Sequence, residues 1–434
     1  MMKLSLAIVL FPILIFGQKN VSTNLEKYMQ AQVDINHFSG TVLVTKSGEV
    51  LLKKSYGLAD YEWNVKNTID TKFQLASVTK QFTAAAILLL VEKGELSLND
   101  PLSKFFSDFP KADSVTIHML LSHSSGLALG FKELALSTIG VDSAYSEIKK
   151  IPYEFSPGTK SAYSNIGYYL LGKIIEKISG EPYAVFLSKN IFEKAGMKNT
   201  GVSNNDSIIS KKAQIYCRTE KGLVHNPYIN WGFNIGHDGV YSTVEDLALW
   251  DKALYGTTIL SEEMKKLMFT SHNDENWGYG FIINPFYNHG HQLIAHDGGF
   301  FGTMSSFNRF TDDKLFVTVL SNNQSESYII AYGLSAIAFQ KAFELPYKHV
   351  QTKIDTTIYD KYVGKYGEIE ILKIDGKLYY NSVEMELLPE SNTKFFRADN
   401  EDRTFEFIPD EFGIYSSLIR TKGGIKEVVK RTIQ

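Results

Sequence analysis

The chain has 434 residues, 44% hydrophobic and 21% charged, with a formal net charge of −3 and a single cysteine, Cys217. That length supplies a sizeable core, and the lone cysteine excludes an intrachain disulfide, so the fold must rest on packing. Near-neutral charge without a basic block argues against nucleic acid as a partner.

Met1 to Gly17 reads as an export signal. Lys3 gives the positive start, Leu4 to Phe16 the apolar stretch, and Gly17 a small residue at the cut. Those 13 residues fall short of the roughly 20 that cross a bilayer, so no stable membrane span is expected. The mature protein is therefore expected to be periplasmic or secreted.

Val21 to Val33 has helical spacing. Phe38 to Val44 and Val50 to Tyr56 are β-rich runs around Ser47-Gly48, a hairpin signature. Asp70-Thr71 leads into a helix that carries Ser77 and ends near Gly94. Thr116 caps a short helix reaching Ser122, and Tyr163 to Ile178 is helical up to Gly180. Ser242 and Glu245 spell a capping box ahead of a helix over Asp246 to Leu254.

Strand signals return at Gly278 to Ile283, Gln292 to His296, Ser305 to Phe310 and Leu315 to Leu320, followed by a helix over Ser327 to Phe343. Beyond Leu345-Pro346, short alternating runs such as Lys377 to Asn381, Thr404 to Ile408 and Ile414 to Arg420 are separated by turns. The expected fold class is α+β. It comprises an antiparallel β-sheet flanked by helices, a mainly helical lobe, and a small all-β domain, barrel-like or sandwich. The expected division is a signal over 1–17, a hydrolase domain over 18–345, a linker over 346–356 and the all-β domain over 357–434.

Ser77-Val78-Thr79-Lys80 opens the apolar run Phe82 to Val91. Residues three apart share a helix face, so the amine lies beside the hydroxyl. A serine hydroxyl is a poor nucleophile until a group takes its proton. Lys80 serves when burial and neighbouring positive charge lower its pKa from about 10.4. Tyr163, in Tyr163-Ser164-Asn165, is the second candidate base, with its phenolate stabilised by Lys80. The Ser77 main-chain N–H points where an oxyanion forms, a donor worth roughly 3–4 kcal/mol in the transition state. His296-Asp297-Gly298 completes three ordered motifs, which together read as the active site of a serine hydrolase.

Other patterns have plainer readings. Gly167 to Lys173 nearly spells a phosphate loop, but Ile174 replaces the needed hydroxyl residue and the segment reads as buried helix. His289 and His291 sit at a hairpin tip, so no metal site is expected. His123 suits a backbone contact in its loop, and His237-Asp238-Gly239 reads as a turn.

The three motifs resemble those of class C β-lactamases and their low-molecular-weight penicillin-binding relatives, a group that includes esterases and D-amino-acid-specific peptidases. Phe73-Gln74-Leu75-Ala76, Leu120 to Gly126 and Pro157-Gly158-Thr159 match as well. The resemblance covers about residues 25 to 345, and the tail resembles a barrel-like domain of some members. It implies a β-lactamase/transpeptidase-like fold and an acyl-enzyme on Ser77, with Lys80 and Tyr163 sharing proton transfer. It further implies that Asn165 bonds Lys80 and the substrate amide, and that His296 stands where many relatives have lysine. Gly298 would leave room for substrate, and Gly299 would give the second oxyanion N–H beside that of Ser77. It implies no metal and no organic cofactor.

Asp297 departs from the pattern, since members that bind carboxylate substrates usually carry threonine there. A carboxylate about 4 Å from a substrate carboxylate repels it by roughly 4 kcal/mol at an effective dielectric of 20. This argues against efficient β-lactamase activity and for an ester, amide or D-peptide without a free carboxylate at that point. Strand residues alternate faces, so an orientation with Asp297 turned from the cleft stays open. The expected partner is a small-molecule or peptide substrate. The alternatives are a non-catalytic penicillin- or peptidoglycan-binding receptor and a D-alanyl-D-alanine carboxypeptidase.

Overall fold

The computed structural model describes residues 11–130, 136, 141–398 and 403–432. They form two compact units: residues 38–331, and the N-terminal stretch up to 37 together with the chain from 332 onward. Helix α1 (Phe11–Asn36) belongs to the second unit. The first ten residues of the expected export signal lie outside the described residues.

The first unit is built on a six-stranded antiparallel sheet. Strands β1 (Gly40–Lys46) and β2 (Glu49–Tyr56) form its N-terminal hairpin. Ser47 and Gly48 turn it with φ of +52° and +85°, the left-handed pair that a two-residue hairpin requires. The short β3 (Phe73–Gln74) leads towards α2 (Thr79–Glu92). Residues 79 to 90 of α2 are all buried, with Thr79, Lys80, Gln81 and Thr83 the polar members of an otherwise apolar helix that runs through a core.

Helix α3 (Ile117–Leu121) is capped by Thr116, which accepts the Met119 N–H. Helix α4 (Asn165–Ser179) is capped by Ser164 and ended by Gly180 at φ +68°. Both pack into one apolar cluster with α2. Strand β4 (Val240–Ser242) runs antiparallel to β3, pairing Ser242 with Phe73. The cap of α5 (Val244–Ala253) is Thr243, whose hydroxyl accepts the Asp246 N–H at 3.2 Å. The expected Ser242 cap is thus displaced by one, because Ser242 ends the strand and bonds Thr200 instead.

Strands β5 (Ile282–Ile283), β6 (Leu293–Phe300), β7 (Thr303–Phe310) and β8 (Leu315–Ser321) complete the sheet in the order β5-β6-β7-β8-β1-β2. The last strand pairs with the first, Val319 opposite Val42, so distant segments close the sheet together. Strand β5 reaches only Ile294 and Ala295, and β6 continues beyond it from His296 to Phe300 without a strand partner on that side among the described residues.

In the second unit, Val21, Leu25, Tyr28, Met29 and Gln32 make one buried stripe on α1 at helical spacing. Eight antiparallel strands between Gly364 and Lys430 follow one another in chain order. An Arg431–Tyr366 bridge brings the end of this meander back to its start, giving a nearly closed barrel. Tyr362 and Phe407 stack inside it at 4.2 Å. This is the barrel-like domain the turn spacing implies, and a two-sheet sandwich is not formed. Among the described residues, no helix is long and apolar enough to cross a membrane.

Candidate active site

Ser77 sits on a strained turn. Between β3 and α2 the chain passes through Ala76 at φ +46°, a left-handed conformation that costs a non-glycine residue about 1–3 kcal/mol. Neighbours hold it there. Leu75 N–H donates to Val240 O at 2.8 Å, Ser305 Oγ donates to Leu75 O at 2.6 Å, and Thr303 Oγ1 donates to Gln74 O at 2.8 Å. Gly298 on β6 lies against the same turn. A Cβ there would sit 2.2 Å from Leu75 O, 2.4 Å from Ser305 Oγ and 3.1 Å from Ser77 N. The glycine is needed for strand and turn to touch, rather than for substrate room.

Lys80, one turn into α2, is fully buried and donates from Nζ to Ser77 Oγ at 3.1 Å and to His237 O at 3.1 Å. Burial pushes its ammonium down to about 8, while the Asp238 carboxylate, 3.9 Å away, works in the opposite sense. Ser77 Oγ in turn donates to Asp238 Oδ1 at 3.2 Å.

Tyr163 completes the triad that the motifs imply. Lys80 Nζ lies 4.8 Å from its ring centroid and 5.7 Å from that of Tyr168, so the buried cation faces two aromatic rings. The Tyr163 hydroxyl is buried and makes no hydrogen bond of good geometry among the described residues. Burial and then the Asp238 charge push the phenol well above its usual value, whereas the nearby Ser77 hydroxyl favours the phenolate.

His296 is held neutral. Its Nδ1–H donates to Asp297 O at 2.6 Å, which leaves Nε2 as a buried acceptor without a bond among the described residues. Burial, with Lys80 adding to it, lowers its pKa to about 3. His123 accepts the Ser164 N–H on Nδ1 at 3.1 Å, the backbone contact its loop suggested.

A cavity of about 670 Å³ opens over Ser77, lined among others by Tyr163, Asn165, Asp238, Gly299 and Phe300. Ser77 and Gly299, the expected oxyanion donors, thus border one space from two elements. A larger cavity of about 800 Å³ near Leu249 contains none of these residues, so chemistry rather than size marks the site.

Two expectations need correction. Asn165 Oδ1 is buried without a hydrogen bond among the described residues and does not engage Lys80, whose ammonium takes the His237 carbonyl instead. Asp297 is not among the cavity-lining residues. Its Oδ1 accepts from Ser306 Oγ at 2.6 Å and its Oδ2 from Tyr287 Oη at 3.0 Å. The orientation turned from the cleft is therefore the one adopted, and the repulsion argued from Asp297 does not operate. The carboxylate that does line the cavity is Asp238, from the segment read as a plain turn. The echo of the third motif in His237-Asp238-Gly239 was the available signal.

The Beta-lactamase family model matches residues 25–336, some seven-tenths of the chain. The chain belongs to the β-lactamase family. Penicillin-binding protein 4* of Bacillus subtilis is 30% identical over 93% of this chain and all of its own length. A putative D-alanyl-D-alanine carboxypeptidase of Salmonella enteritidis is 28% identical over 60% of this chain and 72% of its own. Among solved structures, the octameric penicillin-binding protein homologue from Pyrococcus abyssi superposes with a TM-score of 0.68 at 27% identity, over 94% of this chain and 99% of that one. The chain is accordingly a serine hydrolase, related to β-lactamases and penicillin-binding proteins.

Proposed function

We propose that this protein is an exported hydrolase that forms an acyl-enzyme on Ser77 and cleaves amide or ester bonds, including those of D-amino-acid peptides. The observation that carries this reading is the 3.1 Å contact between the buried Lys80 Nζ and Oγ of Ser77, which lines the cavity. Ser77 and Gly299 supply the oxyanion donors, Asn165 meets the substrate amide, and His296 backs Tyr163. The names borne by the relatives support peptide and amide bonds as substrates.

The cavity lining supports a substrate without a free carboxylate near the scissile bond. Asp238 is the only charged side chain among its described lining residues, and Leu129, Phe300, Phe301 and Met304 offer apolar surface. This reading keeps the preference argued from Asp297 and moves its cause to Asp238.

The test is burst labelling by a fluorophosphonate, followed by turnover of short-chain p-nitrophenyl esters, D-amino-acid peptides and a cephalosporin. Labelling and turnover in the wild type, with neither in Ser77→Ala, is the expected result. Labelling without turnover would make the protein a receptor, and labelling of Ser77→Ala would remove the nucleophile assignment. Export is tested by N-terminal sequencing of protein recovered outside the cytoplasm, with the new terminus expected near residue 18.

A further inference from the structure

A second recess lies between the β1–β2 hairpin and α5. Its cavity of about 800 Å³ contains none of the residues that border Ser77, and small-molecule sites occupy roughly 300–1,000 Å³. Leu43 on β1 lines it and is only 2% exposed. Val50 on β2, Leu249 on α5 and Tyr255 just beyond α5 also line it, at 50%, 37% and 43% exposure. Large apolar side chains from three segments thus border one space and are left uncovered.

The walls are fixed in advance. Lys314 O accepts the Ser47 N–H at 2.8 Å, which ties the β7–β8 turn to the tip of the β1–β2 hairpin. The ring of Tyr255 is backed by Arg309, whose Cζ lies 4.7 Å from its centroid, and Arg309 Nε donates to Asp251 Oδ1 at 2.8 Å. A recess already in shape loses little freedom on binding.

The charges around it do not balance. Each lining carboxylate is answered within the protein: Glu245 by Lys53 at 2.7 Å, Asp251 by Arg309, and Asp246 by the Asn199 N–H and the Thr200 hydroxyl, both at 2.7 Å. Lys198, Lys252 and Lys314 line the same cavity and are exposed. Their ammonium groups make no hydrogen bond or ion pair among the described residues. Lys252 follows Glu245 by two helical turns and Lys314 sits at the hairpin tip, so both stand away from the Lys53–Glu245 bridge.

We infer that this recess is a binding site for a single-chain aliphatic carboxylate. Its alkyl chain lies along Leu43, Val50 and Leu249, and its head meets Lys252 and Lys314. Each methylene taken out of water against those side chains adds affinity, and unpaired ammonium groups select an anionic head. A bilayer surface is not the occupant. Leu43, Asp246 and Asp251, at 2%, 3% and 9% exposure, place part of the lining below the surface, where one chain enters and a flat membrane does not. The site does not depend on the assignment of Ser77.

The test is titration calorimetry of the full chain with dodecanoate below its micelle concentration, beside dodecyl maltoside, which keeps the chain and lacks the charge. One saturable dodecanoate site is expected, with the maltoside at least about tenfold weaker. Lys252→Glu combined with Lys314→Glu should weaken dodecanoate about tenfold or more, because two attractions become repulsions. Leu249→Asp should weaken it as much by placing a carboxylate in the path of the chain. Both variants change exposed positions, so wild-type urea midpoints are expected, and if one fails to fold the other decides. Salt should weaken binding as it screens the lysines.

No saturable binding, equal binding of the maltoside, or wild-type affinity in the lysine variant overturns the proposal. So does dodecanoate that competes with a p-nitrophenyl ester while ignoring both variants, which would place it in the Ser77 cavity. Lysine-dependent sedimentation with phosphatidylglycerol–phosphatidylcholine vesicles would make the face a membrane contact and equally overturn it.

Discussion

His123 lies face to face with Tyr163, ring centroids 4.5 Å apart and planes inclined by 31°, while its Nδ1 takes the main-chain N–H of Ser164, the residue that follows. One buried imidazole thus braces both the phenol and the start of the helix that continues from it. Trp277 closes the other side, 4.8 Å from His123 and 5.2 Å from Tyr163.

His123→Ala removes a packed ring and leaves the Ser164 N–H without its acceptor. The expected cost is about 2–4 kcal/mol of unfolding free energy, read from urea midpoints. His123 has φ +58°, a conformation asparagine tolerates, so His123→Asn is expected to recover part of the loss. A change below about 1 kcal/mol in the alanine variant would contradict the bracing role.

Gly298→Ala places a methyl group 2.2 Å from Leu75 O and 3.1 Å from Ser77 N. Strand and turn must separate, so fluorophosphonate labelling is expected to slow by about 100-fold. Stability is expected to fall by about 1–3 kcal/mol, as overpacked sites do. Labelling at the wild-type rate would mean the two elements need not touch.

Asp297→Thr leaves a cephalosporin rate within about threefold of wild type, because the carboxylate is bonded to Ser306 and Tyr287 and lies off the cavity. A rise of about a hundredfold or more would restore the direct-repulsion argument. Loss of the acceptor for those two hydroxyls is expected to cost about 1–3 kcal/mol in denaturation.

The double change Lys80→Met with Asp238→Asn abolishes turnover and, at pH 7, stabilises the fold by about 1–4 kcal/mol, as replacing buried ion pairs often does. The gain should shrink at alkaline pH, for a definite reason. Burial depresses the Lys80 pKa from 10.5 to about 8, so between those values the unfolded chain binds more protons than the native one. Wild-type stability from this group therefore rises with pH across that window. Urea midpoints of both proteins from about pH 7 to pH 10 check the sign.

What was legible in the sequence was chiefly local or carried by motif order. Ser77 and Lys80 meet because a three-residue step on a helix brings them together, which spacing alone reveals. The β-rich runs of β1 and β2, the strand signals of β7 and β8, and the run of turns after Leu345 likewise encode their strands directly. The capping error at Ser242 arose because Ser242 and Thr243 are both good caps, and only the pairing of β4 with β3 decides between them.

Asp238 was not legible, because it reaches Ser77 across 161 residues through bonds from Gln74 and Thr79 that no local pattern announces. Asp297 failed for the complementary reason. Its motif position is right, but the strand's face parity is set by Tyr287 and Ser306, which lie elsewhere in the chain.

Because α2 is buried from residue 79 to residue 90, Lys80 on it, and Ser77 on the turn that leads into it, are tied to the part of the molecule hardest to open. Any excursion that pulled them apart would have to disrupt the interior as a whole, not fray an edge. Slow amide exchange along this helix should report the global unfolding free energy, and on heating, loss of turnover should coincide with loss of the fold rather than precede it.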